Sequence, residues 1–215
     1  MTALAPEPAI ERLVDGNRRF LSRTHDDSKQ ASRLFNAGLA EGQRPFAIVV
    51  GCSDSRTPVE ILFDEGFGDL FVVRVAGPVV APSIIGSVEF AASTFGTRLV
   101  VVLGHTQCGA IRASMNVLRT GDRPESRNIR AITDRIIPHI RGVVRNPGTM
   151  TEDQIERAAM RCKVEGCADE LRHGSRLLED LVLAGQVAVV GADYDLQTGQ
   201  VDFFDGLPVE RQARR

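Results

Sequence analysis

Along the chain, apolar positions change rhythm twice. Over residues 7–21, Ile10, Leu13, Val14, Phe20 and Leu21 recur at helical spacing among charged side chains, which predicts an amphipathic helix with one stripe that needs a surface to cover it. The polar stretch Ser22 to Lys29 separates it from a second predicted helix near 30–41, ended by Gly42. From Pro45 onward the pattern becomes short, continuous apolar runs: 46–50, 70–73, 99–103 and 187–190. Runs of that length without polar alternation are expected of strands buried on both faces. Helical patterns lie between and beside them, at about 83–96, 109–119, 127–145, 152–172 and 175–184.

Strands that alternate with helices predict an α/β fold, a parallel sheet with helices on both faces. After the fourth run, Tyr194 to Gln200 reads as a turn into Val201-Asp202-Phe203-Phe204. That fifth strand is expected to run antiparallel at the edge of a four-stranded parallel sheet. The expected organisation is an N-terminal helical arm over 1–42, suited to packing across a partner subunit, and a single α/β domain over 43–215.

Composition narrows the class without naming a function. At 215 residues, 43% of them hydrophobic, the chain has enough material for one ordinary globular core. A formal net charge of −2 gives no reason to expect nucleic acid or an anionic membrane as partner. The acids and arginines of the first twenty residues do not suit an export signal, and no stretch approaches the ~20 apolar residues needed to span a bilayer. The expected location is the cytoplasm, where four cysteines are expected as thiols or metal ligands rather than disulfides.

Two of the apolar runs end in polar sequence that changes the picture. The first continues into Gly51-Cys52-Ser53-Asp54-Ser55-Arg56 and the third into Gly104-His105-Thr106-Gln107-Cys108-Gly109. The carboxyl ends of parallel strands open on one edge of a sheet, where ligands bind. Cys52, Asp54, His105 and Cys108 are therefore expected to meet there. Thiolate and imidazole are preferred ligands of Zn2+, and carboxylate is its common oxygen ligand. Cys108 precedes a predicted helix start, where backbone N–H groups favour a thiolate. Gly51, Gly104 and Gly109 are expected to let the backbone approach the metal closely.

Taken singly, a strand-end cysteine is usually a packing residue and a lone histidine a structural one. The two elements together, each directly after a valine-rich strand, favour a metal site. A purely structural zinc usually has four protein ligands, often in paired C-x-x-C knuckles. Here Asp54 and Arg56 are close enough in one loop for a bidentate pair, which would leave the fourth metal position to water.

At these residues the sequence resembles the β-class carbonic anhydrases. The likeness extends through Phe71-Val72-Val73-Arg74, Gly86 to Phe90 and Val190 to Leu196, and includes Glu11-Arg12-Leu13 and Gly16 to Phe20. It implies reversible hydration of CO2 to bicarbonate on zinc held by Cys52, His105 and Cys108, with Asp54 as fourth ligand only in a closed state. It further implies that Asp54 and Arg56 form a gate, that Gln43 hydrogen-bonds substrate, that Phe71 lines an apolar pocket, and that the Gly109 N–H donates to a substrate oxygen. The assembly implied is a homodimer or a dimer of dimers, with the arm over the partner and with Gln43 and Phe71 able to serve the partner's pocket.

Three positions depart from the family pattern. Phe90 replaces the tyrosine of some members, Pro78 a frequent asparagine, and Val49 the tryptophan of the bicarbonate-inhibited subgroup, which implies the directly active subgroup. Cys162 and Cys167, five apart in a predicted helix, read as packing residues. The rival functions are hydrolysis of carbonyl sulfide or carbon disulfide on the same fold, and a non-catalytic zinc-binding role. Intact Ser53 and Ser55 disfavour the first; retention of both Asp54 and Arg56 disfavours the second.

Overall fold

In a computed structural model, residues 4–22 and 37–207 are described. Four parallel strands, β1 (Ala47–Cys52), β2 (Leu70–Val75), β3 (Leu99–His105) and β4 (Ala188–Tyr194), are joined at one edge by antiparallel β5 (Val201–Asp205), in the order β2-β1-β3-β4-β5. Every residue of β1 and β3 is buried. Their uninterrupted apolar runs suit this place, because helices cover both faces of the sheet. The strands extend beyond those runs. β1 continues through Gly51 to Cys52, and β3 through Gly104 to His105, so two chemically active side chains are the last residues of the two central strands.

The period-2 geometry of a strand sorts the core into two layers. Val49, Val101 and Val190 face a layer closed by Ala9, Ile10 and Leu13 of α1 (Pro6–Ser22) and by Leu62 and Phe63 at the end of α2 (Val59–Leu62). Ile48, Val50, Val100, Val102 and Val189 face the other layer, built from α3 (Pro82–Phe95), α6 (Glu152–His173) and α7 (Arg176–Leu183). A third cluster lies between α4 (Gly109–Thr120) and α5 (Arg127–Arg145), where Ile111, Met115, Ile136 and Ile140 pack with Cys52, Cys108 and Val79. The helix starts are set locally: Ser126 and Ser175 accept from the amides of Ile129 and Leu178, and Thr151 forms a capping box with Gln154.

The stripe of α1 finds its surface within its own chain, where Ala9, Ile10 and Leu13 are completely buried. Asn17 locks the helix in place: its side-chain amide donates to the carbonyls of Leu62 and Gly199 and accepts from the Val201 amide, at 3.0–3.2 Å. Of the second helix expected near 30–41, the described part is one 3₁₀ turn, Ala37–Glu41, and residues 30–36 lie outside the described residues. The four-residue α2 was not anticipated, being too short to show a helical period.

Gly16 permits the close seat of α1, because a Cβ there would stand 1.8 Å from the Phe63 carbonyl oxygen. Alanine improves helix propensity by about 1 kcal/mol, but the displaced backbone opposes this by about 1–3 kcal/mol. Gly16→Ala is therefore expected to lower the urea-unfolding free energy. A variant as stable as the parent would show that α1 does not rest on residue 63 of its own chain.

Candidate metal centre

Cys52 closes β1, His105 closes β3 and Cys108 is the residue before α4. All three are buried, and one ligand atom from each lies within 4.8 Å of the others. The pairing of β1 with β3, Gly51 opposite Leu103, brings the two strand ends side by side. A tight turn then returns the chain from His105 to Cys108. Gln107 takes a left-handed conformation, φ 56°. The Thr106 N–H donates to the Tyr194 carbonyl and its hydroxyl accepts from the Leu196 amide, each at 3.0 Å. The β4 end thus fixes the turn that carries two of the three ligands.

The histidine is prepared as a ligand. Its Nδ1 lies 2.9 Å from the Thr106 carbonyl oxygen, and a carbonyl cannot donate, so Nδ1 carries the proton and Nε2 keeps its lone pair. Nε2 is buried without a hydrogen-bond partner. An unsatisfied buried polar atom costs about 1–3 kcal/mol, and here it sits beside two sulfurs. The sulfurs share a proton. Cys52 is lowered to about 4, first by its hydrogen bond with Cys108 and further by the amides of Gly77 and Asp54. Cys108 is raised by that same bond, against the pull of the Ile111 and Ala110 amides at the helix start. A cation in place of the shared proton satisfies both sulfurs and the orphaned Nε2. The donor set fits a soft or borderline metal ion such as zinc.

Asp54 and Arg56 form the expected pair. Arg56 Nε donates to Oδ1 at 2.9 Å and Nη2 to Oδ2 at 2.7 Å, and the Arg56 amide adds a third bond to Oδ1 at 3.0 Å. Arg56 therefore holds the carboxylate well below its ordinary range. Asp54 Oδ2 lies 4.0 Å from His105 Nε2. Arg56 Nη2 also reaches the Gln107 carbonyl at 3.2 Å, tying the Cys52 loop to the His105–Cys108 turn.

Three contributors were missed in the sequence. Arg74 donates to the carbonyls of Cys52 and Asp54, at 2.8 and 2.6 Å. Thr57 donates its hydroxyl to the Asp54 carbonyl at 2.9 Å. Gly77 gives its amide to Cys52. The one available signal was Arg74, a cation at the end of an apolar strand.

The roles expected of the glycines also change. A Cβ on Gly104 would meet Met160 and Val164 of α6, at 2.4 and 2.6 Å, so its smallness admits a helix and not the metal. At Gly109 a Cβ would meet nothing within 4 Å, and at Gly51 only Val59 at 3.9 Å. Gly109 is the first residue of α4, where an N–H has no acceptor within the helix.

Gln43 and Phe71 do not join the cluster within this chain. Gln43 is exposed and precedes β1 at its amino end, beside Arg44, whose amide bonds the Gly68 carbonyl. The six residues of β1, at ~3.3 Å each, separate that end from Cys52. Phe71 pairs in register with Ile48, whereas Cys52 pairs with Val75. It stacks with Phe90 and Phe95, ring centroids 6.3 and 6.0 Å away, and Phe90 is 53% exposed. Cys167 is fully buried, Cys162 is half-buried, and neither belongs to the cluster of Cys52, His105 and Cys108.

The carbonic anhydrase family model matches residues 47–201, which contain every residue of this cluster. The carbonic anhydrase of Mycolicibacterium smegmatis is 38% identical over 197 residues, 92% of each chain. Carbonic anhydrase 2 of Mycobacterium tuberculosis is 35% identical over 202 residues, 94% of each chain. Among solved structures, the Coccomyxa β-carbonic anhydrase superposes with a TM-score of 0.70 at 20% identity, covering 89% of this chain and 84% of that one. The β-carbonic anhydrase CcaA gives 0.68 at 21%, covering 93% of each. The sheet order, the strand-end cluster and the extent of these matches agree, and the chain belongs to the β-class carbonic anhydrases, enzymes of CO2 hydration.

Proposed function

We propose that this enzyme hydrates CO2 reversibly on one zinc ion held by Cys52 Sγ, His105 Nε2 and Cys108 Sγ. The observation that carries the reading is the buried, unpartnered Nε2 beside two sulfurs, with an arginine-held carboxylate 4.0 Å away. When bound, the ion supplies the Lewis acidity that makes water a nucleophile near neutral pH. Arg56 engages both oxygens of Asp54, which keeps the carboxylate ionised and away from the ligand set. Asp54 Oδ2 then accepts a hydrogen bond from the attacking water and orients its lone pair. The Gly109 N–H, without an acceptor in its own helix, is placed to donate to a substrate oxygen.

Gln43 and Phe71 fit this scheme as residues lent to the partner subunit's pocket. β2 is an edge strand, and its side chains Phe71 and Val72 are half-buried. An apolar edge of this kind calls for a cover, which supports a homodimer or a dimer of dimers. The four free cysteines support action in a reducing compartment such as the cytoplasm. Among the described residues, no helix is long and apolar enough to cross a membrane. Arg56 holding Asp54, with Val49 buried in β1, supports the directly active subgroup.

Stopped-flow CO2 hydration on protein of measured zinc content tests the proposal. Activity is expected to rise in proportion to zinc and to saturate at one ion per chain. Hydrolysis of carbonyl sulfide or carbon disulfide without CO2 hydration would favour the rival hydrolase. That outcome is disfavoured by the intact Ser53 and Ser55 flanking Asp54.

A further inference from the structure

Behind the metal centre lies a buried polar group that the reaction does not use. Lys163 is one of only two lysines in the chain. It is 1% exposed, and its Nζ donates to the Arg135 carbonyl at 3.2 Å. One helical turn later Cys167 is fully buried, and its thiol donates to the Pro78 carbonyl at 2.8 Å. The same sulfur accepts from Lys163 Nζ and from the Val80 amide. Burying an amine and a thiol costs free energy unless their bonds do something an apolar pair would not. What the thiol does here is grip one short segment, by the Pro78 carbonyl and the Val80 amide, while Lys163 ties that thiol to α5.

That segment is the loop that reaches Cys52. Residues 77–80 are buried. Gly77 has φ +69°, and a Cβ there would stand 2.7 Å from both Ala110 of α4 and Ile136 of α5. The loop is thus wedged between two helices on one side and held by Cys167 on the other. Its Gly77 amide donates to the Cys52 sulfur, while Val79 packs in the same cluster as Cys52 and Cys108. An N–H that points at a thiolate withdraws charge from it, so the placing of this amide sets how strongly the sulfur donates to a metal.

We propose that Lys163 and Cys167 are positioning residues, which tune the Cys52 thiolate as a metal ligand by holding the 77–80 loop so that the Gly77 amide meets the sulfur. The proposal rests on Cys52 being a ligand, as argued above. It assigns a task to the helix α6 that is distinct from covering the sheet.

Cobalt(II) is the probe, because its thiolate charge-transfer band reports the donor strength of the sulfurs. The parent protein, Cys167→Ala, Cys167→Ser and Lys163→Met are loaded with cobalt, and the band and the metal affinity by chelator competition are recorded for each. Cys167→Ala is expected to shift the band and to weaken cobalt binding about 10–100-fold, the usual cost of losing an outer support of a ligand. Cys167→Ser keeps a donor and an acceptor in place and is expected to recover most of both. Lys163→Met keeps the buried volume and is expected to move the band in the same direction by less. If Cys167→Ala does not fold, Lys163→Met decides by the same readings. An unmoved band in the folded variants overturns the proposal, even where affinity falls, since that is a loss of general stability. A serine variant no better than the alanine variant overturns it as well. A parent protein that shows no thiolate band overturns the ligand assignment itself, and with it this proposal.

Discussion

Cys108→Ala is expected to lose its zinc on dialysis and, with it, CO2 hydration down to the level of buffer. The three ligand atoms lie within 4.8 Å of one another, and removal of one sulfur leaves a cysteine and a histidine, too few to hold the ion against a competing chelator. The fold is expected to survive. Cys108 is a small side chain in the cluster between α4 and α5, and the β-carbon retained by alanine preserves part of that packing. Far-ultraviolet circular dichroism and zinc analysis on one sample separate metal loss from unfolding. Cys162→Ala, half-buried and outside the cluster, is expected to keep about one zinc per chain. Two zinc ions per parent chain, or loss of zinc from Cys162→Ala, would refute the assignment of Cys52, His105 and Cys108.

The second large effect is expected at Arg56. With Arg56→Ala, Asp54 loses the guanidinium that binds both its oxygens, and a free carboxylate beside a zinc cation should turn and bind it. Zinc content should remain normal while CO2 hydration falls by about 10²–10³, the range seen when one preorganised charge is removed from a reacting centre. The effect has a pH signature with a definite sign. Arg56 depresses the Asp54 pKa in the folded protein. The pair therefore stabilises the fold above the ordinary carboxylate pKa, and that contribution is lost as pH falls through the folded value. Asp54 stays ionised wherever the parent enzyme is assayed, so an alkaline rise in activity belongs to the reacting water and not to this carboxylate. A crystal structure of Arg56→Ala at neutral pH, with zinc bound, reads the position of Asp54. If the carboxylate still points away from the metal, Arg56 is not its latch.

Much of this site was legible one segment at a time. Asp54 and Arg56 are two residues apart, so their bond depends on a single loop. Apolar runs placed four strands, a turn signal placed the fifth, and helical spacing placed most of the helices, because a buried strand and a covered helix face each impose their own pattern. Cys52 and His105 stood out as ligand types directly after such runs. Their meeting followed from a rule about parallel sheets, without knowledge of a single contact.

What the sequence by itself determined was thus the class of fold, the strand ends that carry chemistry, and the pairing of Asp54 with Arg56. Tertiary structure alone decided which surface covers which. It seated α1 on its own chain through Gly16 and Asn17, gave the space at Gly104 to Met160 and Val164, and brought Gly77, Thr57 and Arg74 around the loop of Cys52. It also set Gln43 and Phe71 apart from the ligand cluster, near the amino ends of their strands. The physical reason is the range of the interactions. Periodicity, turn formation and ligand type act over a few neighbouring residues, whereas the fit of a helix on a sheet joins residues far apart in the chain, and no local pattern specifies that partner.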